Sequence, residues 1–253
     1  MTQDLYALRE SLLSDLDGFV RFFDRGGVDH ENGGVCCGLA ATGERLTGLK
    51  FCWFNGRAIW TYGHLYRCGL LKDRQAPREG FASMQDYLLN IATRAAEFAL
   101  TFGRDASGGF VVEMTERGAP LKAAEPTYIP TSGYGSAFVG EGLAELFRTT
   151  GVAATLDVSI DLLRAFVRLM DDPSREADRM AGAKGGSPGL RTLGHHMICL
   201  NWSRQLHEAI AEATRRGIHK LPNAGDLAGW EDTPRSLDDA SPQQMPDACT
   251  THV

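Results

Sequence analysis

An arginine flanked by two tryptophans is the first arrangement in this sequence that could do chemistry. Trp53, Arg57 and Trp60 are spaced by four and three residues, so on a helix they share one face. A fixed guanidinium can stabilise an oxyanion as it develops. The plainer use of Arg57 is a structural ion pair with an acid of a neighbouring hairpin. His195 and His196 come next, because an imidazole takes up and returns a proton near neutrality. Adjacent helical residues point about 100° apart, so at most one of the pair faces a given cavity. The competing role is a core histidine bonded to backbone. Tyr128, Tyr134 and Trp53 offer flat ring faces for stacking, or else pack in the core. Glu125 and Glu141 are candidate polar wall residues, or surface acids and ion-pair members.

These residues need helices to hold them, and the hydrophobic spacing supplies two kinds. Leu5, Leu8, Leu12, Leu16, Phe19 and Phe23 predict a one-faced helix over about 4–24. Met84, Leu88, Ile91, Ala95, Phe98 and Phe102 repeat the pattern, with Ser83 and Asp86 as a capping start. Leu156, Ile160, Leu163, Phe166, Val167 and Met170 form a third such face before Pro173. Between them, 50–68, 133–149 and 192–206 are apolar nearly all round. A helix apolar on every side is buried, and a singly striped one lies outside. The alternation outer, inner, outer, inner, outer, inner predicts an all-α fold of helical hairpins in two concentric layers.

An internal repeat supports that order. Gly33-Gly34, Gly43, Leu46 and Trp53 recur as Gly108-Gly109, Gly118, Leu121 and Tyr128, a period of 75 residues. Each copy reads as a short β-hairpin, with ATGE and TERG as turns, joining an outer helix to the next inner one.

Composition bounds the rest. The chain has 253 residues, 43% hydrophobic and 23% charged, and a net charge of −6. That charge argues against nucleic acid as a partner, and no apolar run is long enough to span a membrane. No signal sequence is recognised and the six cysteines include no CxxC pair, so reduced thiols and a cytoplasmic location are expected. Residues 222–253 hold six acids against Arg235 and four of the ten prolines. This divides the chain into a folded body, 1–221, and a tail expected to be disordered.

Three motif matches fail on their chemistry. In Gly185-Gly186-Ser187-Pro188-Gly189 the residue after the serine has no N–H for an oxyanion hole. Gly133-Tyr134-Gly135 lacks the third glycine and preceding strand of a dinucleotide fingerprint. Cys36 and Cys37, adjacent on a strand, point to opposite faces and cannot chelate as a pair. His207 and His219 read as surface residues.

The stretch VDHENGGVCCGLAATGERLTGLKFCWFNGRAIWTYGHLYR, residues 28–67, resembles the N-terminal signature of the N-acylglucosamine 2-epimerase, cellobiose 2-epimerase and mannose isomerase superfamily. The family pattern is D-x-E-x-GG, a hairpin, then K-x-x-W-x-Q-x-R-x-x-W. Asp29, Glu31, Gly33, Gly34, Gly43, Lys50, Trp53, Arg57 and Trp60 match it, and Asn55 stands where the family has Gln. GGFVVEMTERGAPL resembles the second hairpin, and YIPTSGYGSAFVGEGLAELFRTTG and RTLGHHMICLNWSRQL the second and third inner helices.

The resemblance implies an (α/α)6-barrel toroid, here incomplete at about three helical hairpins, with two small β-hairpins on one rim. It implies a sugar epimerase or isomerase working through an enediolate, with no cofactor and no metal. Arg57 and His196 would be catalytic, and Lys50, Trp53, Asn55, Trp60 and Tyr134 would bind a hexose, N-acylhexosamine or disaccharide. The family's later GHxxExxW helix and final histidine have no counterpart, since Ile198 or Cys199 stands where the glutamate belongs. The chain therefore reads as a truncated or frameshifted member, or as a half-barrel that needs a partner, a homo-oligomer being one such arrangement. Its isolated activity is expected to be small, and the alternative is an inactive sugar-binding or interaction module. A glycosidase is set aside, because Glu141 and Glu145 are the only carboxylates on the inner helices.

Overall fold

Asp4 opens the first helix by accepting hydrogen bonds from the backbone N–H groups of Tyr6 and Ala7, which satisfies two otherwise orphan donors. Helix α1 then runs Leu5–Gly26. The structure, a computed structural model, describes residues 4–104, 109–121, 133–171 and 193–220. The remaining helices are α2 (Cys52–Cys68), α3 (Met84–Phe102), α4 (Gly133–Thr150), α5 (Ala153–Asp171) and α6 (Leu193–Arg215). Ser83 caps α3 as its spacing predicts, accepting from the Asp86 N–H and donating to the Asp86 carboxylate.

The inner row is α2, α4 and α6, with α4 packed against both others or their side chains; α3 backs α2, and α5 backs α4 and α6. α2 and α4 approach so closely that a Cβ on Gly56 would stand 2.4 Å from the carbonyl carbon of Phe138. A Cβ on Gly142 would stand 2.5 Å from the Gly56 oxygen. Only glycine leaves room for the two backbones there. Among the described residues no helix is long and apolar enough to cross a membrane.

Both turns of the internal repeat form. The Gly43 N–H donates to Ala40 O and the Ala40 N–H to Glu44 O; the Gly118 N–H donates to Thr115 O and the Thr115 N–H to Ala119 O. Gly43 and Gly118 adopt φ of 89° and 88°, a region L side chains avoid. The regular strand pair joins the repeats: β1 (Lys50–Phe51) runs antiparallel to β2 (Glu113–Met114). The hairpins therefore sit together on one rim.

Two burial expectations are corrected. α1 buries Leu13, Val20 and Asp24, whereas Leu5, Leu8, Leu12 and Phe19 of the expected stripe are exposed. The core edge of α1 is turned by its neighbours: Asp24 is drawn inward by the Tyr87 hydroxyl, His30 and Arg78. α6 continues past 206 to Arg215 and is buried on only one side, through Trp202, Gln205, Leu206, Ala209 and Ala213. Leu193, Met197 and Leu200 are exposed, because α6 has α4 and α5 on one side and no described helix on the other. Tyr128, Glu125, the 185–189 motif and the tail beyond 221 lie outside the described residues.

Candidate functional site

Three helical stripes converge on the inner row. On α2 the residues are Trp53, Arg57, Trp60, His64 and Arg67; on α4, Tyr134, Phe138, Glu141, Glu145 and Arg148; on α6, Asn201, Gln205 and Glu208. Each set steps by three and four residues, so each occupies one helix face.

Arg57 is exposed, although the helix that carries it, apolar nearly all round, is expected to be buried. It lies over the Phe138 ring at 4.2 Å and the Trp53 ring at 5.1 Å, so aromatic faces from two helices hold it. Two of the hairpin acids are engaged elsewhere, Asp29 with Lys50 and Glu116 with Arg45. Arg57 thus stands exposed at the wall, held by ring faces.

Next to it a polar chain crosses all three inner helices. The Trp60 indole N–H donates to Gln205 Oε1 at 2.6 Å, and Gln205 Nε2 donates to Glu141 Oε1 at 2.6 Å. The Asn201 amide donates to the same oxygen. Burial pushes the Glu141 carboxyl up to about 7, against the pull of the Asn201 bond and the Arg57 and Arg204 charges. A carboxyl in that range exchanges protons near neutrality.

One layer further along, Glu145 is fully buried and meets His64 Nδ1 at 3.1 Å, Arg67 Nε at 2.7 Å and Arg148 at 3.1 Å. Burial acts to raise its pKa, but the His64 and Arg67 bonds and the two arginine charges outweigh it and hold the group low. His64 stacks on Trp60 at 4.7 Å, which links the two layers.

Lys50 and Asn55 lie away from this wall. Lys50 has no exposed surface, and its ammonium donates to Asp29 Oδ2 at 2.7 Å and to the carbonyls of Gly33 and Glu116, each at 2.6 Å. Burial pushes Asp29 up, yet the Asn32 and Lys50 hydrogen bonds hold it at about 2. Asn55 is equally buried, accepting from the Val35 N–H and donating to the Val35 and Phe51 carbonyls. All their polar capacity goes into clipping the hairpin rim to α2, so neither presents a donor to a ligand.

The histidines also differ from expectation. His196 is exposed and lies nine residues before Gln205, about 180° round α6 from the Glu141-facing side. His195 is the one turned toward the helices, its ring 4.5 Å from Tyr134 and edge-on to Phe166 at 5.7 Å. His207 and His219 are exposed, as read. Sequence reasoning passed over His64, Asn201 and Gln205 and gave Glu141 and Glu145 no partners. The three-and-four spacing from Arg57 and from Tyr134 is the signal that could have found them.

Over 214 residues the chain is 28% identical to N-acylglucosamine 2-epimerase of Homo sapiens, covering 83% of this chain and 45% of that protein. It is related to the N-acylglucosamine 2-epimerase superfamily. The Bos taurus enzyme of that name is 27% identical over 215 residues, again with 83% of this chain and 46% of the relative covered. No family model matches. Among solved structures, cellobiose 2-epimerase from Bacillus thermoamylovorans superposes with a TM-score of 0.62 at 17% identity, over 88% of this chain and 55% of that one. A D-mannose isomerase gives 0.53 at 13% identity, over 88% and 50%. The superfamily's fold, an (α/α)6 toroid, is thus present here as about half of its ring. The chain spans about half the length of the curated relatives it matches.

The raised Glu141 pKa has a consequence for stability. Between its ordinary 4.5 and about 7 the folded state binds more protons than the unfolded one, so stability falls as pH rises through that window. At about 1.4 kcal/mol per unit the loss approaches ~3 kcal/mol. Glu141→Gln, whose carbonyl still accepts from Asn201 and Gln205, is expected to remove this slope. Urea midpoints at pH 5 and pH 8 check it; equal slopes in both proteins would contradict the assignment.

Proposed function

We propose that this chain forms the sugar-holding wall of an epimerase or isomerase acting beside a sugar carbonyl. The observation that carries the reading is Arg57, exposed and cradled by Trp53 and Phe138 beside a carboxyl that titrates near neutrality. Inverting or moving a centre next to a carbonyl means removing a weakly acidic C–H proton and returning one, through an enediolate. Arg57 donates to the oxygen that gains charge, and stabilisation of this kind needs neither a redox cofactor nor a metal. Trp53, Trp60 and Tyr134 supply ring faces for the sugar. Glu141, not His196, is the proton-exchanging group of this wall.

The names of the relatives support a sugar bearing a C2 centre next to its carbonyl: an N-acylhexosamine, a hexose such as mannose, or a disaccharide such as cellobiose. Among the described residues Cys36, Cys37, Cys52 and Cys199 form no disulfide, which suits a cytoplasmic location. The exposed apolar residues of α1 and α6, Leu8, Leu12 and Phe19 on one and Met197 and Leu200 on the other, support association with a second copy.

The test has two readouts. Titration with N-acetylglucosamine, mannose and cellobiose is expected to quench tryptophan fluorescence saturably for at least one sugar. In D₂O that sugar should gain deuterium at C2, roughly 10²–10⁴-fold more slowly in Glu141→Gln. No quenching and no exchange with any of the three would overturn the proposal.

A further inference from the structure

At the far end of α2 from the hairpin rim, a thiol, an imidazole and a carboxylate stand in line. Cys68 Sγ lies 3.5 Å from His64 Nε2, and His64 Nδ1 lies 3.1 Å from Glu145 Oε1. Cys68 and His64 are four residues apart on α2, so the helix itself sets the first contact. Glu145 comes from α4 and fixes the ring from its other edge, while the Trp60 indole stacks on the ring face.

We propose that Cys68 is a reactive thiol, activated by His64 and Glu145, and a site of reversible modification by low-molecular-weight disulfides. With the Nδ1 proton given to Glu145, the Nε2 lone pair faces Cys68 and accepts the thiol proton. With the proton on Nε2, Arg67 donates to Nδ1 at 3.1 Å and the imidazole N–H supports the thiolate instead. Both tautomers favour the sulfur anion. Arg67, one residue before Cys68 on α2, carries a positive charge that interacts with the thiolate and also binds Glu145. A half-buried thiol beside an imidazole and an arginine is a setting in which thiols are nucleophilic.

The reaction balances simply. The Cys68 proton passes to His64, the sulfur attacks one sulfur of the disulfide, a protein–S–S–R bond forms, and RS⁻ departs. Three other thiols provide contrast within the same molecule. Burial raises Cys36 and Cys37 above the ordinary thiol value and pushes Cys52 up to about 12.

The experiment treats the full chain with oxidised glutathione at pH 7 and maps the adducts by peptide mass spectrometry. Cys68 is expected to be modified at least tenfold faster than Cys37 or Cys199, and His64→Gln is expected to slow it about tenfold. Cys52 should stay unmodified in both proteins, reporting an intact fold. A Cys68 no faster than Cys199, or a rate unchanged in His64→Gln, overturns the proposal. If the variant exposes Cys52, the pH profile of iodoacetamide labelling in the unaltered protein decides. A Cys68 midpoint below pH 8 supports the relay, and one at an ordinary thiol's ~8.5 overturns it.

Discussion

Arg57→Ala is expected to weaken sugar binding by about ten- to a hundredfold while leaving the fold nearly as stable as before. The two effects separate because Arg57 is exposed and its protein contacts are ring faces rather than ion pairs. A cation over a ring at an exposed site contributes roughly 0.5–1 kcal/mol, so thermal midpoints should hardly move. A charged hydrogen bond to a ligand oxygen is worth about 1.5–3 kcal/mol, which sets the affinity loss. The larger effect should fall on C2–deuterium exchange. There the guanidinium faces an oxygen that gains full charge, and removing such a donor costs about 2.7–4 kcal/mol, or 10²–10³ in rate. Arg57→Lys should recover part of the binding but less of the exchange, since the planar fork is lost. Sugar titrations and exchange rates on the three proteins decide the matter. Affinity within twofold of the unaltered protein in Arg57→Ala would remove Arg57 from the site.

Lys50→Met should cost about 3–5 kcal/mol of folding stability, the largest loss expected from any single change discussed. The substitution keeps the side-chain length but strips Asp29, only 3% exposed, of its ammonium partner. It also leaves the Gly33 and Glu116 carbonyls without their donor. Asp29→Asn combined with Lys50→Met removes the stranded charge and should recover much of the loss, as a buried ion pair replaced whole is often near neutral. The pH dependence has a definite sign. Asp29 is held below its ordinary 3.8 at about 2, so its contribution is present above that ordinary value and is lost as pH falls through the window. Denaturant unfolding of the single and double variants measures this. A loss below about 1 kcal/mol in Lys50→Met would mean that the rim does not depend on the clip.

The clip also shows where reading the chain as a string stops short. Lys50 and Asn55 stand within the motif that carries the family resemblance, and position in a motif gives no hint of burial. A lysine at the start of an inner helix looks like a ligand until the folded hairpins surround it with three oxygens. His196 illustrates the same limit on α6. Two adjacent histidines differ by about 100° in direction. The choice between them follows from how α6 rolls on α4 and α5, and Trp202, buried with its indole N–H bonded to Ser159, fixes that roll.

Much was nevertheless legible in the residues alone. Hydrophobic patterning placed the six described helices, three by an apolar side chain every three or four residues and three by apolarity nearly all round. The repeat placed both hairpin turns, because Gly43 and Gly118 hold a backbone conformation that other residues adopt only with strain. Pairings between helices are another matter. Glu141 with Gln205 and Asn201, Glu145 with His64 and Arg67, and Arg57 with Phe138 join positions from 60 to 81 residues apart. Nothing local in the chain encodes them. They arise because glycines at 56 and 142 let α2 and α4 pack backbone to backbone and Gly140 admits the Trp202 ring of α6 against α4, which brings the three polar stripes within hydrogen-bond reach and strips them of water. That loss of water is what moves Glu141 to about 7 and gives the wall its proton chemistry.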